Sequence, residues 1–335
     1  MSMEITPFIL GSGKAASAIK ESLAVASIAK PDISVLPVQR LKRGELASVA
    51  DAIHPVLFIA NPHALHAPSI LEGEKAGFAL IVCEKPAAIS VPQIVALGNV
   101  KIPVAVCHVY RQMWGIQTLK EMVVAGEFGD IISIEGRYWQ SSTANSALTR
   151  DNPQSWKNDP ELSGPADALL DIASHWADAA LFLAGETPVD ASVWLSYANA
   201  AAPHRDSHVH LQMAFPNGTR ALASISKTVH GAPNHFEVNV IGTRQYACWK
   251  FLEPDQIEVG VGTRRSYIPR SRTDLGSGHW PHHGMGWVEG YIEIIHRAVR
   301  GLAGGTDTYP TLAQNLELVR LLLASGLPKI SHSHR

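Results

Sequence analysis

Between residues 5 and 109 short apolar runs alternate with stretches of helical composition, and this alternation constrains the fold more than any other feature of the chain. "ITPFIL", "DISVLPV", "VLFIAN", "FALIVC" and "PVAVCHV" read as strands, and "AASAIKESLAVASIA", "RGELASVADAI" and "APSILEGEKAG" between them read as helices. Strand and helix in alternation predict a doubly wound parallel sheet, covered by helices on both faces. Beyond residue 130 the pattern changes. "SHVHLQMAFPNGTRALASIS" sets Val209, Leu211, Met213 and Phe215 on one face and turns at Asn217-Gly218, which predicts a β-hairpin. "ISIEGRYW", "ASVWLSY" and "FEVNVIG" add strands, so the second part is expected to be α+β with a large, mostly antiparallel sheet. At 335 residues the chain is long for one core, and the expected domains are 1–118 and 119–335.

The first strand runs into "GSGKAAS", a G-x-G-x-x-A turn built on Gly11, Gly13 and Ala16. A first glycine permits the tight turn, a second lets a pyrophosphate approach the backbone, and a small third residue lets helix and strand pack. The helix that follows offers unpaired N–H groups and the positive end of its dipole to phosphate. At the first β-α junction this arrangement points to a Rossmann dinucleotide site made by Gly11, Ser12, Gly13, Lys14 and Ala15. A Walker loop is excluded, because Gly13-Lys14 lacks the upstream glycine spacing. The second strand, "ISVLPVQRLKR", ends without the carboxylate that would bind a ribose 2′-hydroxyl, and Arg40, Lys42 and Arg43 stand there instead. Arg40 therefore suits an adenosine 2′-phosphate, and the cofactor is expected to be NAD(P), with NADP favoured.

Composition excludes several other classes. Hydrophobic residues make up 46% and charged residues 17%, a balance that belongs to a packed chain rather than a disordered one. Net charge is −2 with no basic block, so neither nucleic acid nor an anionic membrane is an expected partner. Cys83, Cys107 and Cys248 are scattered, without CxxC spacing, which argues against a disulfide framework and for a reducing compartment. Without a signal-peptide pattern or an apolar run near the ~20 residues of a membrane span, the expected location is the cytoplasm.

"ALLDIASHWADAALFLAG", residues 168–185, is an apolar helix that nonetheless carries Asp171, His175 and Asp178. At about 100° per residue Leu169, Ile172, Ala173, Trp176, Ala180 and Leu183 form one stripe, and the three polar residues stack on another face. Spacing alone leaves two readings open: a solvated face with an ordinary ion pair, or the lining of a cleft.

Three further segments resemble the Gfo/Idh/MocA family of NAD(P)-dependent sugar and polyol oxidoreductases. "ANPHALHAPSI" matches the family's third-strand motif, "VCEKP" its Glu-Lys-Pro motif, and "WKNDPELSGPADALLDIASHWAD" its W-R/K-x-D-P-x-x-S-G segment followed by D-x-x-x-H. The likeness runs in order along nearly the whole chain, with departures at Gly164-Pro165, where the family has two glycines, and at Gln245. It implies that Ala60, Asn61, Pro62, His66, Glu84 and Lys85 meet the dinucleotide. It also implies Lys85, Asp171 and His175 as the catalytic set, with Arg111, Trp156 and Lys157 beside them around the substrate. Histidine suits the proton transfer that accompanies hydride transfer, since its unperturbed pKa lies near ~6.5. An ammonium at Lys85 would stabilise charge developing on the reacting oxygen.

In that reading the reaction is reversible oxidation of a hydroxyl on a sugar, inositol or related polyol, by a homodimer or homotetramer whose sheets pair. Two alternatives stay open: a glycoside hydrolase that uses bound NAD for transient oxidation, and a non-catalytic ligand sensor on the same fold. Asp178 is either an orienting group for His175 or a structural group. His279, His282 and His283 cluster in "GHWPHHGMGW", but without a supporting carboxylate or cysteine pattern no metal is assigned.

Overall fold

The computed structural model describes residues 2–42, 44–46, 49, 51–144, 156–199, 202–271, 286–306 and 308–326. Its first sheet contains β1 (Met3–Leu10), β2 (Ile33–Val35), β3 (Gln39–Leu41), β4 (Pro55–Ile59), β5 (Leu80–Cys83) and β6 (Val104–Val106). The strand order is β2-β1-β4-β5-β6, β3 pairs with the far end of β1, and every pair is parallel. The connections carry α1 (Lys14–Ala29), α2 (His66–Ala76) and α3 (Val91–Leu97), and α4 (Trp114–Val124) follows the sheet. Strands buried on both faces have no need of alternation, and β4 and β5 accordingly read as continuous apolar runs.

Two local expectations are corrected. The second strand is broken into β2 and β3 around Pro37, whose nitrogen has no hydrogen to give a ladder. The segment expected as a helix at 43–53 forms turns and irregular chain in its described residues, with Gly44 at φ +84°. Among the described residues of this segment, Leu46, Val49 and Ala52 are the ones that touch the core.

The second sheet has eight strands: β7 (Ile131–Trp139), β8 (Asp190–Ser196), β9 (His208–Ala214), β10 (Arg220–Ser226), β11 (His235–Gly242), β12 (Tyr246–Lys250), β13 (Gln256–Val261) and β14 (Arg264–Pro269). In the order β14-β13-β12-β11-β7-β10-β9-β8 all neighbours are antiparallel except β7 and β10. The expected hairpin is β9–β10, closed at Asn217-Gly218. One face of this sheet packs on helices. The other is uncovered among the described residues, and Trp194 lies on it 78% exposed.

Between the sheets run α5 (Pro160–Ser163), a π-turn over Leu169–Ala173, and α6 (Ser174–Ala184). Trp176 of α6 lies over Gly136 of β7 and donates its indole N–H to the Glu237 carbonyl at 3.1 Å. A Cβ at Gly136 would stand 2.7 Å from Trp176 Nε1 and 2.0 Å from the Glu237 oxygen, so only glycine lets helix and sheet approach this closely. The chain then returns to the first sheet. α7 (Trp287–Leu302) packs on α1, and α8 (Leu312–Gly326) on β6, β8 and α6. Val106 N–H donates to the Pro310 carbonyl at 2.8 Å, and Ala105 pairs with Thr311 at the edge of the first sheet. No helix among the described residues is long and apolar enough to cross a membrane.

Candidate active site

β1 delivers the chain to Gly11, whose φ of +140° and close approach to Ala60 both require glycine; a Cβ would lie 2.4 Å from the Ala60 oxygen. Gly13 has nothing within 4 Å of where its Cβ would be, so its backbone opens onto free space. α1 starts without a side-chain cap, and its first intrahelical donor is Ser17 N–H to the Gly13 carbonyl. The amides of Lys14, Ala15 and Ala16 therefore lack intrahelical acceptors, and Ser12, Gly13 and Lys14 are exposed. β3 places Arg40 opposite Ile9, one strand over from this turn, with its side chain exposed. Arg43 lies outside the described residues, as do His279, His282 and His283.

The residues after β4 and β5 build the next wall. Asn61 donates to Ser69 Oγ at 3.0 Å, but its Oδ1 is buried with no hydrogen-bond partner among the described residues. Such an orphan acceptor beside an open glycine turn fits a dinucleotide that would satisfy it. His66 is a correction to expectation. It is fully buried, with Nδ1 at 2.7 Å from the Pro86 oxygen and Nε2 at 2.8 Å from the Asn61 oxygen. Burial lowers its pKa to about 4. Both of its ring nitrogens face backbone carbonyls, one of them as the donor, so neither is directed toward a cofactor. Glu84 is also buried and accepts from the Tyr291 hydroxyl of α7; burial raises its carboxyl pKa, against the opposing influence of Lys85 and that hydrogen bond.

Lys85, carried past the end of β5, meets the helix that opened the question. Its Nζ donates to the Asp171 carbonyl at 2.5 Å and to Asp171 Oδ1 at 2.7 Å. Lys157 reaches Oδ2 of the same carboxylate at 2.7 Å, and Lys227 reaches it at 2.6 Å while also holding Asp167 Oδ1 at 2.6 Å. Burial would raise the pKa of Asp171, but the ammoniums of Lys157, Lys227 and Lys85 outweigh it and hold this carboxyl well below the usual range. Every residue from Ala166 to Ala180 is buried, which excludes the solvated-face reading.

His175 follows one turn later, ringed edge-on by Tyr110 at 5.3 Å, His108 at 5.6 Å and Tyr138 at 6.2 Å between centroids. Burial, then Lys85 and His108, push its pKa well below 6.5, so the imidazole is neutral near pH 7. Its Nδ1 has no partner among the described residues. The expected single α-helix is corrected too: it begins as a π-turn, the wider geometry that recurs at functional sites. Trp156 sits half-buried with its ring 4.8 Å from His63, and Lys157 lies over it.

Arg111 and Asp178 part from the cluster. Arg111 donates Nε at 2.8 Å and also Nη2 to the Asp178 carboxylate, and Nη1 at 2.7 Å to Gln314. Expected near substrate, it is instead spent on a buried counter-ion, and Asp178 is thereby structural rather than an orienting group for His175. The sequence reading missed Lys227, Asp167, His63 and His108. Only Asp167 carried a signal, being four residues before Asp171 and so on the same helical face.

Residues 116–247 match the GFO/IDH/MocA C-terminal domain. A levoglucosan dehydrogenase of Pseudarthrobacter phenanthrenivorans is 26% identical over 297 residues, covering 78% of this chain and 75% of that protein. Among solved structures, a levoglucosan dehydrogenase in complex with NADH superposes with a TM-score of 0.84 at 22% identity, covering 96% of both chains. An inositol dehydrogenase homolog from Azotobacter vinelandii, complexed with NAD+, superposes with a TM-score of 0.80 at 18% identity, covering 95% of this chain and 93% of that one. The family match thus falls on residues 116–247, which include the first strand of the second sheet and the helix of Asp171 and His175, while the glycine turn and the Glu-Lys-Pro strand end of the first sheet resemble the same family.

Proposed function

We propose that the protein is an NAD(P)-dependent oxidoreductase that acts on a CH–OH group of a sugar or polyol. The observation that carries this reading is the meeting of Lys85, from the first sheet, with Asp171 and His175 of the helix that packs on the second. When bound, the nicotinamide supplies a hydride acceptor or donor. The glycine turn and the α1 amides would hold its pyrophosphate, and Asn61 Oδ1 would accept a hydrogen bond from it. Loss of hydride from a carbinol carbon leaves the hydroxyl proton to be removed, and the neutral His175 imidazole takes it. Lys85 has three donors and uses two on Asp171, so its third can stabilise negative charge on the reacting oxygen. In carbonyl reduction the same groups act in reverse. Lys157 reaches the Asp171 carboxylate and lies over the Trp156 ring, so these two are proposed to meet the substrate.

The finer assignments rest on narrower support. Arg40, exposed beside the glycine turn with no carboxylate at the ends of β2 and β3, favours NADP over NAD. The open face around Trp194 and Leu222 favours pairing of second sheets in a homodimer or tetramer. Three free, buried cysteines favour a reducing, cytoplasmic setting.

The test is a panel of sugars and polyols, including levoglucosan and myo-inositol, assayed at the reduced-nicotinamide band with each cofactor. Turnover is expected with at least one neutral polyhydroxyl substrate, faster with NADP+ than NAD+, and His175→Ala is expected to lose ~10²–10⁴-fold in kcat. A clear preference for NAD+ removes the Arg40 assignment. Release of free sugar from a glycoside without net change in reduced cofactor would establish the hydrolase alternative instead.

A further inference from the structure

Asp171 meets three lysines, and the three differ in kind. Lys85 is the one with catalytic work to do. Lys157 acts strongly on Asp171, but its side chain is 43% exposed and so stands partly in water and salt. Lys227, whose side chain is 4% exposed, is clamped at 2.6 Å to each of two carboxylates. It stands just past the end of β10, fixed there by its own backbone: its N–H donates to the Ser207 carbonyl at 2.9 Å, and its carbonyl accepts from Thr143 N–H at 2.9 Å.

We propose that Lys227 is a positioning residue: its ammonium keeps Asp171 ionised and in place while Lys85 shares its charge with the oxygen of the substrate. This rests on the reading of Lys85 given above. Asp167 and Asp171 lie four residues apart on one helical face, and Asp171 N–H donates to the Asp167 carbonyl at 2.8 Å. Two buried carboxylates so placed repel, and without a cation between them one is driven to take a proton. A protonated Asp171 no longer restrains the ammonium of Lys85 and no longer offsets its charge beside His175. Lys227 prevents this from outside the reacting atoms, through Asp171 alone.

Other groups that face Asp171 do not replace it. Lys85 and Glu84 come from the end of β5, His63 from the turn before α2, and Lys157 from the turn before α5. His175 and Asp167 belong to its own helix, and Tyr138 comes from β7. His63 and His175 are held neutral by burial, Glu84 and Asp167 are acidic, and Lys157 stands partly in water.

Lys227→Met and Lys227→Arg test the proposal by two readouts. In Lys227→Met the acid limb of the kcat–pH profile should move up by at least about one unit, a tenfold loss on the acid side relative to the variant's own plateau, with the KM for cofactor unchanged; Lys227→Arg should restore the wild-type profile. The second readout needs no substrate. Without Lys227 the folded-state pKa of the pair rises above its unfolded value of about 3.9, so the gap in Tm between wild type and Lys227→Met should widen as pH rises from about 4 to about 7. If Lys227→Met does not fold, Lys227→Gln, which keeps a donor but no charge, is read by the same two measurements. An unmoved acid limb together with a pH-independent Tm gap overturns the proposal and leaves Lys227 a packing residue. A wild-type protein inactive on every substrate sinks the functional reading, while the Tm gap still decides what Lys227 does.

Discussion

Asp171 and Asp178 lie two turns apart on one buried helical stretch and have opposite employments. Asp171 is shared among three ammoniums, whereas Asp178 is gripped by the planar guanidinium of Arg111 through two nitrogens. A bidentate guanidinium pair is rigid and leaves little capacity for a ligand; a lysine such as Lys85, on a flexible stem, can turn a donor elsewhere. Asp178→Asn would strand a buried guanidinium without its counter-charge. It is expected to cost about 3–5 kcal/mol in urea unfolding, while the folded fraction keeps its substrate KM. A cost below ~1 kcal/mol would show that the pair is not the structural tie described here. Of the residues at this centre, Lys85, Asp171 and His175 were legible because each sits in a motif. Lys227 was not, since a lysine after a strand, in "SISKTV", has the pattern of an ordinary solvated end, and only the register of β10 against β7 brings it inward.

At the level of elements, the sequence foretold those whose pattern matches a simple period. Five strands of the first sheet and the β9–β10 hairpin announce themselves by apolar runs and by Asn217-Gly218. β12, β13 and β14 escaped notice, because "YACWK" and "QIEVGV" are short and the strand at "RRSYIP" is exposed throughout, with little alternation to read. The π-turn could not be read either: Leu169–Ala173 has the composition of an ordinary α-helix, and its widening comes from what packs around it. Nearby, the seating of α6 on β7 and β11 depends on the missing side chain at Gly136. Gly136→Ala should force the helix or the strand pair apart, costing about 1–3 kcal/mol, readable as a lowered urea midpoint with an unchanged slope. An unaltered midpoint would mean that the sheet yields freely at this point.

Considered whole, the molecule has its stability tied to four buried imidazoles at its centre: His63, His66, His108 and His175. Burial depresses the pKa of each in the folded state, to about 4 for His66 and His108, while the unfolded chain titrates near ~6.5. Between those values the unfolded state binds more protons. Stability from these groups is therefore fully present above about pH 6.5 and is lost as pH falls through the folded values, by about 3 kcal/mol each for His66 and His108. A Tm series should show a plateau above neutrality and a steep decline from pH ~6.5 toward ~4; a flat Tm across that window would refute the assignment of neutral, buried rings.

The contact of Val106 with Pro310 and of Ala105 with Thr311 has a bearing on solubility. A border strand with vacant amides and carbonyls invites strand addition from neighbouring molecules, and aggregation often starts there. Along β6 the chain's own late segment occupies that border, so an incoming strand finds its hydrogen-bonding row already engaged. β14, the opposite case, ends its sheet with no strand beyond it among the described residues, and Arg264, Arg265 and Pro269 set charge and an amide-free ring along that border.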